Sequence, residues 1–203
     1  MKGNDAQAVY NIPAVVWDRE LADCTPAALL AVENYLKHQT EFVRDGKGLF
    51  FTGNAGAGKT TAAVQLAKAG LPGWYGHLTD RSVYFTRASE LRQAVRFHHE
   101  FGDCGLVENL IRRAKLLIID DLDLTDFSDS FFNWKSLVVE RAGAHRPTIF
   151  TSILTFEALC EVQPVWHEQV GEVLYEIPVT GMNRRAQVIK TTRTKLFEPK
   201  DPK

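Results

Sequence analysis

The chain has 203 residues, 45% of them hydrophobic, and a formal net charge of -1. This size supports one domain with a substantial core, and the near-zero charge excludes a protein coated in basic residues. No apolar run approaches the roughly 20 residues that cross a bilayer, and the polar start at 1–11 has no signal-peptide stretch. We therefore expect a cytoplasmic protein without a membrane segment. The cysteines Cys24, Cys104 and Cys160 are widely spaced and fit reduced thiols better than a disulfide framework.

Short apolar runs rich in β-forming residues alternate with segments of helical spacing. Apolar runs without polar alternation are typical of strands buried on both faces, as in a parallel sheet covered by helices. We therefore predict an α/β fold with a five-stranded parallel sheet. The runs are Gly48–Thr52, Ser82–Thr86, Leu116–Asp120, Thr148–Ser152 and roughly Val173–Thr180.

A glycine-rich stretch, Gly53–Thr60, follows the first strand and precedes a helical segment at Thr61–Ala69. Its pattern G-x-x-x-x-G-K-T, in the order strand, loop and helix, is typical of a P-loop. Glycines let backbone N–H groups converge on phosphate oxygens, and the helix N-terminus adds partial positive charge. We predict that Lys59 reaches the β- and γ-phosphates and takes part in catalysis, and that Thr60 ligates Mg²⁺. The residues predicted to hold a nucleoside triphosphate are Gly53, Asn54, Ala55, Gly56, Ala57, Gly58, Lys59, Thr60 and Thr61.

Three helix boundaries carry sequence signals. Thr25-Pro26 is a capping hydroxyl followed by a proline suited to the first helical position. The helix after the P-loop is predicted to end at Leu71-Pro72-Gly73, because proline interrupts a helix and glycine tolerates the following turn. Thr155 is placed to cap a helix that begins at Phe156-Glu157.

The apolar run that starts at Leu116 ends in two carboxylates, Asp120 and Asp121. A buried strand that ends in adjacent acids needs a cation to offset their desolvation, as Mg²⁺ does in a Walker B motif. We predict that Asp120 is the metal-side carboxylate and that Asp121 is catalytic and polarises the attacking water. The later acids lack calcium-loop spacing and are predicted to lie on the loop surface: Asp123, Asp126 and Asp129.

P-loop proteins include kinases, GTPases and ATPases, so the motif alone does not fix the class. The chain contains no guanine-reading N-K-x-D. A strand at 82–86 lies between Lys59 and Asp120, as in ATPases with an added central strand and unlike adenylate-type kinases. We therefore predict ATP with Mg²⁺ as the ligand.

In its motifs the chain resembles the bacterial helicase-loader and insertion-sequence ATP-binding family of AAA+ ATPases, from about Ile12 to Val188. The segments that carry the resemblance are Gly48–Thr61, Val83–Leu91, Leu116–Leu122, Thr148–Ser152 with the helix at Phe156-Glu157, and Ile177–Gly181. The resemblance implies a three-layer αβα sandwich. We expect a single AAA+ domain over 1–203, with the core at about 12–188, an N-terminal extension at 1–11 and a basic tail at 189–203. The stretch after the last strand is too short for a full C-terminal lid domain.

The resemblance further implies ATP-dependent handling of single-stranded DNA. Loaders of this family help to place a replicative helicase on DNA, and the transposition relatives assist a transposase. In both, the ATPase domain forms a homo-oligomer. We expect a helicase loader, with a transposition helper ATPase and a weakly hydrolysing, nucleotide-dependent adaptor as alternatives. The basic stretch after Met182 is either a solvated tail or a nucleic-acid contact.

The family binds DNA near its second strand, and the matching segment here is Arg87–Phe101. Arginines with aromatic residues suit a surface that tracks a single strand, because cations meet phosphates and rings stack on bases. We predict DNA contacts from Arg87, Arg92, Arg96 and Phe97. The alternative is an amphipathic helix that packs through Leu91, Val95 and His98-His99.

The chain departs from the family at two positions. The family places an Asn after the fourth strand as a γ-phosphate sensor, but Ile153 stands there, with Thr151 or Ser152 as substitutes. The family also carries arginines before its last strand, and Trp166–Leu174 has none. Arg184 and Arg185 match an arginine-bearing position after that strand, which implies a phosphate contact for which we name Arg185. A missing arginine finger costs on the order of 10³–10⁵ in rate, so ATP binding is a firmer expectation than fast hydrolysis.

Overall fold

The computed structural model of the chain describes residues 10–74, 83–101, 111, 113–127 and 133–180. The strands are β1 Gly48–Thr52, β2 Val83–Arg87, β3 Leu116–Leu122, β4 Thr148–Ser152 and β5 Leu174–Pro178. The helices are α1 Ala14–Trp17, α2 Pro26–Lys37, α3 Gln39–Arg44, α4 Lys59–Trp74, α5 Ala88–Phe101, α6 Trp134–Gly143, α7 Phe156–Val162 and α8 Val165–Gln169. Short 3₁₀ turns lie at Leu21–Asp23 and Leu124–Phe127. No helix among the described residues is long and apolar enough to cross a membrane.

The strands form one parallel sheet in the order β2-β3-β4-β1-β5, which confirms the predicted five-stranded parallel sheet. All residues of β1 and β4 are buried, as expected for strands in the middle of a covered sheet. Because the strands are parallel, the segments that leave β1, β2, β3 and β4 all emerge at the same edge. Ligands bind in open α/β sheets at this edge, so the topology brings distant segments of the chain to one place.

Helices cover both faces of the sheet. One face packs Leu49 and Phe51 of β1 against α1, α2 and α4, through residues that include Val32 and Leu66. The other face packs Phe50 and Phe150 against α5, α6, α7 and α8, where Trp134 and Trp166 contribute aromatic contacts. Alternate residues of β1 therefore serve opposite cores, as the period of a strand requires. The three-layer αβα sandwich is confirmed.

Two of the three predicted helix boundaries are confirmed. Thr25 Oγ1 accepts from the Ala28 N–H at 3.4 Å, and Thr155 Oγ1 accepts from the Ala158 N–H at 3.1 Å. The predicted helix end at Leu71-Pro72-Gly73 is wrong, because α4 continues to Trp74. A proline removes only one N–H donor, so α4 continues through Pro72 with a single backbone bond missing.

A buried arginine connects α6 to the amino ends of the central strands. Arg141 Nε donates to Thr148 Oγ1 at 2.9 Å, and its Nη2 donates to the Pro147 carbonyl at 3.0 Å. Its Nη1 donates to the Ile111 carbonyl. The Pro147 carbonyl also accepts from the Leu117 N–H of β3 at 3.2 Å. One guanidinium therefore holds the segment between α6 and β4 against the start of β3.

Candidate nucleotide site

The loop between β1 and α4 has the backbone shape of a phosphate-binding loop. Gly53, Gly56 and Gly58 have φ angles of 131°, 76° and 99°, a region that residues with a Cβ rarely adopt. A Cβ on Gly53 would lie 2.3 Å from the Val179 carbonyl oxygen, so that position also requires glycine for space. The loop leads directly into the N-terminus of α4, which directs backbone N–H groups toward the cleft described below.

Lys59 lies inside the loop with only 8% of its surface exposed. Its Nζ donates to the Gly53 carbonyl at 2.6 Å and to the Asn54 carbonyl at 2.9 Å. The ammonium group of Lys59, which follows the loop, is therefore held at the start of the loop. A buried cation beside N–H donors and glycine backbone suits the phosphate groups of a nucleotide.

Three polar side chains meet at the carboxyl ends of β3 and β4. Thr60 Oγ1 and Thr151 Oγ1 each donate to Asp120 Oδ1 at 2.7 Å. Burial raises the pKa of Asp120, and the two hydroxyl donors only partly offset this effect. A buried carboxylate with adjacent hydroxyl oxygens is the kind of oxygen ligand set that Mg²⁺ prefers, and the metal would offset the desolvation. The residues present therefore fit a magnesium ion.

A bulge at Asp121 brings both acids of the Walker B strand to the same side. Asp121 has a φ of 62°, and the register between β3 and β4 shifts between Ile119 and Leu122. In a regular strand, adjacent side chains would point to opposite faces of the sheet. The Asp121 N–H donates to Thr151 Oγ1 at 3.0 Å, and that same hydroxyl donates to Asp120. Thr151 thus holds the carboxylate of Asp120 and the backbone of Asp121.

These groups border one cleft of about 750 Å³, within the range of natural small-molecule sites. The lining residues are Arg19, Asp23, Ala55, Gly56, Gly58, Lys59, Thr60, Thr61, Arg87, Asp120, Asp121, Thr151 and Ile153. Three residues that we also expected to hold nucleotide do not line the cleft but stabilise the loop: Gly53, Asn54 and Ala57. The Gly53 and Asn54 carbonyls accept from Lys59, and the Ala57 N–H donates to the Asn54 carbonyl at 3.2 Å.

The substitutes for the missing sensor do not behave alike. Ser152 lies outside the cleft, because its buried hydroxyl donates to the Leu122 carbonyl at 2.7 Å and accepts from the Leu154 N–H at 3.0 Å. Ser152 was expected to contact the nucleotide, but its hydroxyl points away from the cleft. Thr151 lines the cleft instead, next to Ile153, which is 53% exposed there. Arg184 and Arg185 lie outside the described residues.

The four residues predicted to contact DNA fall into three different environments. Arg87 lines the nucleotide cleft, because it ends β2 at the same edge as Asp120. Arg92 donates to the Thr125 carbonyl, and its Nε lies 3.8 Å from Asp126 Oδ1, so it fastens α5 to the turn after β3. Arg96 and Phe97 are exposed on α5, with Phe97 at 56%. The four residues therefore do not line one common surface, and their DNA contacts stay predictions.

The packing alternative for α5 is confirmed in part. Leu91 is 1% exposed and Val95 packs against the same core, while the side chains of His98 and His99 lie outside the described part of the chain. Asp126 was expected on the loop surface, but it is 2% exposed. Its Oδ2 accepts from the Asp123 N–H at 2.9 Å, which closes the turn and draws the carboxylate inward. Asp129 lies outside the described residues.

Arg19 and Asp23, which carry no sequence signal, also line the cleft. Arg19 Nη1 donates to Thr61 Oγ1 at 3.1 Å, and the Arg19 carbonyl accepts from Gln65 and Lys68. These contacts fasten the N-terminal segment along α4. No short motif signals them, because each joins residues far apart in the sequence.

Thr151 offers a direct test of this arrangement. We expect Thr151→Val to lower the free energy of unfolding by about 1–3 kcal/mol, because it leaves buried partners on Asp120 and Asp121 without their hydroxyl. Thr151→Ser keeps the hydroxyl and is expected to cost less. Urea denaturation of both variants measures the difference, and equal losses in the two would contradict the bridging role.

The fold and the site define a P-loop nucleotide-binding protein of the AAA+ class. The model of the IstB-like ATP binding protein family matches residues 32–170, more than half of the chain, so the chain belongs to this family. None of the curated proteins compared with the chain matches it.

Solved structures share the fold at low sequence identity. The crystal structure of the DnaC helicase loader is 18% identical with a TM-score of 0.59, and the match covers 82% of this chain and 99% of that one. The crystal structure of DnaI is 21% identical with a TM-score of 0.55, over 86% and 94% of the two chains. Replication initiator DnaA bound to AMPPCP and single-stranded DNA is 20% identical with a TM-score of 0.58, over 88% of this chain. The chain spans only about half, 53%, of that DnaA.

Proposed function

We propose that this protein is a cytoplasmic, Mg²⁺-dependent ATPase that loads or remodels a DNA-bound partner, with replicative helicase loading as its leading role. The observation that carries the proposal is the convergence of Lys59, Thr60, Asp120 and Asp121 on one cleft. Membership of an ATP-binding family supports ATP as the nucleotide. The likeness of the fold to DnaC and DnaI supports the loader role.

The P-loop and the two acids at the end of β3 have separate proposed tasks. The backbone of Gly53–Thr61 and the Lys59 ammonium bind the phosphates, and Thr60 with Asp120 holds Mg²⁺. Asp121, exposed at the lip of the cleft, orients the attacking water. Thr151 Oγ1 contacts both acids, the carboxylate of Asp120 and the backbone N–H of Asp121, so it holds the proposed metal-side and water-orienting residues next to each other. Arg185 is a further proposed phosphate contact.

For single-stranded DNA, we retain Arg96 and Phe97 as the proposed contacts. Both are exposed on α5, where a cation beside an aromatic ring can meet a phosphate and a base. The match to a DnaA bound to single-stranded DNA supports this choice of ligand. With few cations on this helix face, we expect weak, salt-sensitive binding that gains strength in an ATP-dependent homo-oligomer.

Two alternative roles have support from particular observations. A transposition helper that assists a transposase is favoured by the family match, which is to IstB-like proteins. A slowly hydrolysing adaptor is favoured by Ile153, whose aliphatic side chain lines the cleft where the related ATPases carry a polar sensor. Both alternatives keep the same single AAA+ domain, with its core at about 12–188.

The test is steady-state ATP turnover with and without single-stranded DNA, in the wild-type protein and in Lys59→Ala. We expect turnover that DNA stimulates in the wild type and background turnover in the variant, because Lys59 neutralises the transferred phosphoryl group. If the wild type binds ATP but its turnover stays at background, the remodelling ATPase is excluded in favour of the adaptor. If it binds no nucleotide, the whole proposal fails.

A further inference from the structure

Arg87 is the last residue of β2, and its exposed side chain lines the nucleotide cleft. In the parallel register it stands opposite Asp120, with neighbouring strands about 4.8 Å apart. Its backbone N–H donates to Glu90 Oε2 at 3.3 Å, which fixes the junction between β2 and α5. Within the described part of the chain, its guanidinium makes no hydrogen bond and no close ion pair.

The other cationic side chains that line the described cleft, Lys59 and Arg19, are held by hydrogen bonds within the protein. Lys59 is held inside the P-loop by the Gly53 and Asn54 carbonyls. Arg19 donates to Thr61 on α4, at the side where the N-terminal segment packs. β2 is separated from β1 by β3 and β4, so Arg87 enters the cleft from the side of Asp120.

That side of the cleft is where the terminal phosphate would lie. Thr60 and Asp120 form the proposed magnesium position, and Mg²⁺ held there would neutralise charge on the terminal phosphates. From β3, the two carboxylates Asp120 and Asp121 face the position of the γ-phosphate, and their negative charges would repel it. An arginine beside them can offset that repulsion and donate two parallel hydrogen bonds to phosphate oxygens.

We propose that Arg87 binds the γ-phosphate of ATP within its own subunit and makes the cleft selective for triphosphate over diphosphate. The proposal rests on the proposed ATP-binding function and deepens it. The proposed phosphate-binding arginine would thus lie on β2. The stretch before the last strand, Trp166–Leu174, where the resemblance predicts arginines, contains none. Arg87 would thereby sense which nucleotide is bound, rather than contact DNA.

The experiment compares the affinities for AMPPCP and for ADP, each with Mg²⁺, by titration calorimetry on the full chain. In Arg87→Ala we expect AMPPCP to bind about 10- to 100-fold more weakly, the range of one charge-assisted hydrogen bond. ADP affinity is expected to change less than about 3-fold, because ADP lacks the phosphate that Arg87 contacts. Arg87→Lys keeps the charge without the planar guanidinium, so its AMPPCP affinity is expected to lie between those of the wild type and Arg87→Ala.

Arg113→Ala is the matched control, since Arg113 is exposed just before β3, at the opposite edge of the sheet. It is expected to leave both affinities unchanged. Equal weakening of AMPPCP and ADP in Arg87→Ala, or no weakening of either, would overturn the selectivity role while leaving ATP binding intact. A wild-type protein that binds neither nucleotide would instead overturn the proposed function itself, and this inference with it.

Discussion

Replacing Asp121 with asparagine is expected to lower ATP turnover by about 10²- to 10⁴-fold while leaving the fold and nucleotide binding intact. The substitution removes the carboxylate proposed to orient the attacking water. It keeps a residue that tolerates the left-handed backbone, because Asn and Asp both adopt positive φ more readily than other residues. Phosphate release measures turnover, calorimetry measures binding, and thermal unfolding measures stability.

Two controls separate chemistry from structure in this experiment. Asp123→Asn removes a nearby exposed carboxylate that does not line the cleft, and it is expected to leave turnover unchanged. Asp121→Ala also removes the proposed catalytic group, but alanine must then adopt a φ of 62°. We expect it to lose about 1–2 kcal/mol of stability in addition to turnover. Retained turnover in Asp121→Asn would assign the role of Asp121 to another group.

The parts of the site that lie close together in the sequence could be predicted well. The P-loop is one uninterrupted stretch in which Gly53, Lys59 and Thr60 have fixed spacing, so its placement after β1 follows from local pattern alone. The apolar runs predicted all five strands for a similar reason, since burial on both faces leaves a mark in each run. The ends of the helices could be predicted less well, as the continuation of α4 past Pro72 shows.

The remaining site residues depend on contacts that no local pattern encodes. Thr151 contacts Asp120 across 31 positions, and Arg19 contacts Thr61 across 42. Such pairs follow from the order of the strands, which the sequence does not state directly. The bulge at Asp121 is likewise a property of two strands together, because it is defined by the register between β3 and β4.

The roles of the arginines on and just before α5 could not be predicted from the sequence either. Arginines near aromatic residues predicted one nucleic-acid surface, but their partners are set by the turns that surround them. Asp126 draws Arg92 inward across the turn after β3, and the end of β2 directs Arg87 into the cleft. Charge alone therefore did not distinguish an internal ion pair, a ligand contact and a surface group.

Removing the Arg141 side chain is expected to be the most destabilising of the changes considered for this protein. Arg141→Ala should lower the free energy of unfolding by about 3–5 kcal/mol, because three buried acceptors, on Ile111, Pro147 and Thr148, lose this donor at once. No described residue supplies a carboxylate to this guanidinium. Burial, with Arg146 nearby, lowers the pKa of Arg141 to about 9, which still leaves it charged at neutral pH.

Urea denaturation of Arg141→Ala, Arg141→Lys and Arg44→Ala measures the effect. Lysine keeps the charge but cannot reach Thr148, Pro147 and Ile111 together with one ammonium group, so an intermediate loss is expected. Arg44 is paired with Asp45 on the surface, with 71% of its side chain exposed, and its removal is expected to leave the stability almost unchanged. A loss in Arg141→Ala no larger than that control would show that the carbonyls find other donors. A large loss would show that one buried side chain secures the strand order on which the nucleotide cleft depends, since β3 and β4 carry Asp120, Asp121 and Thr151.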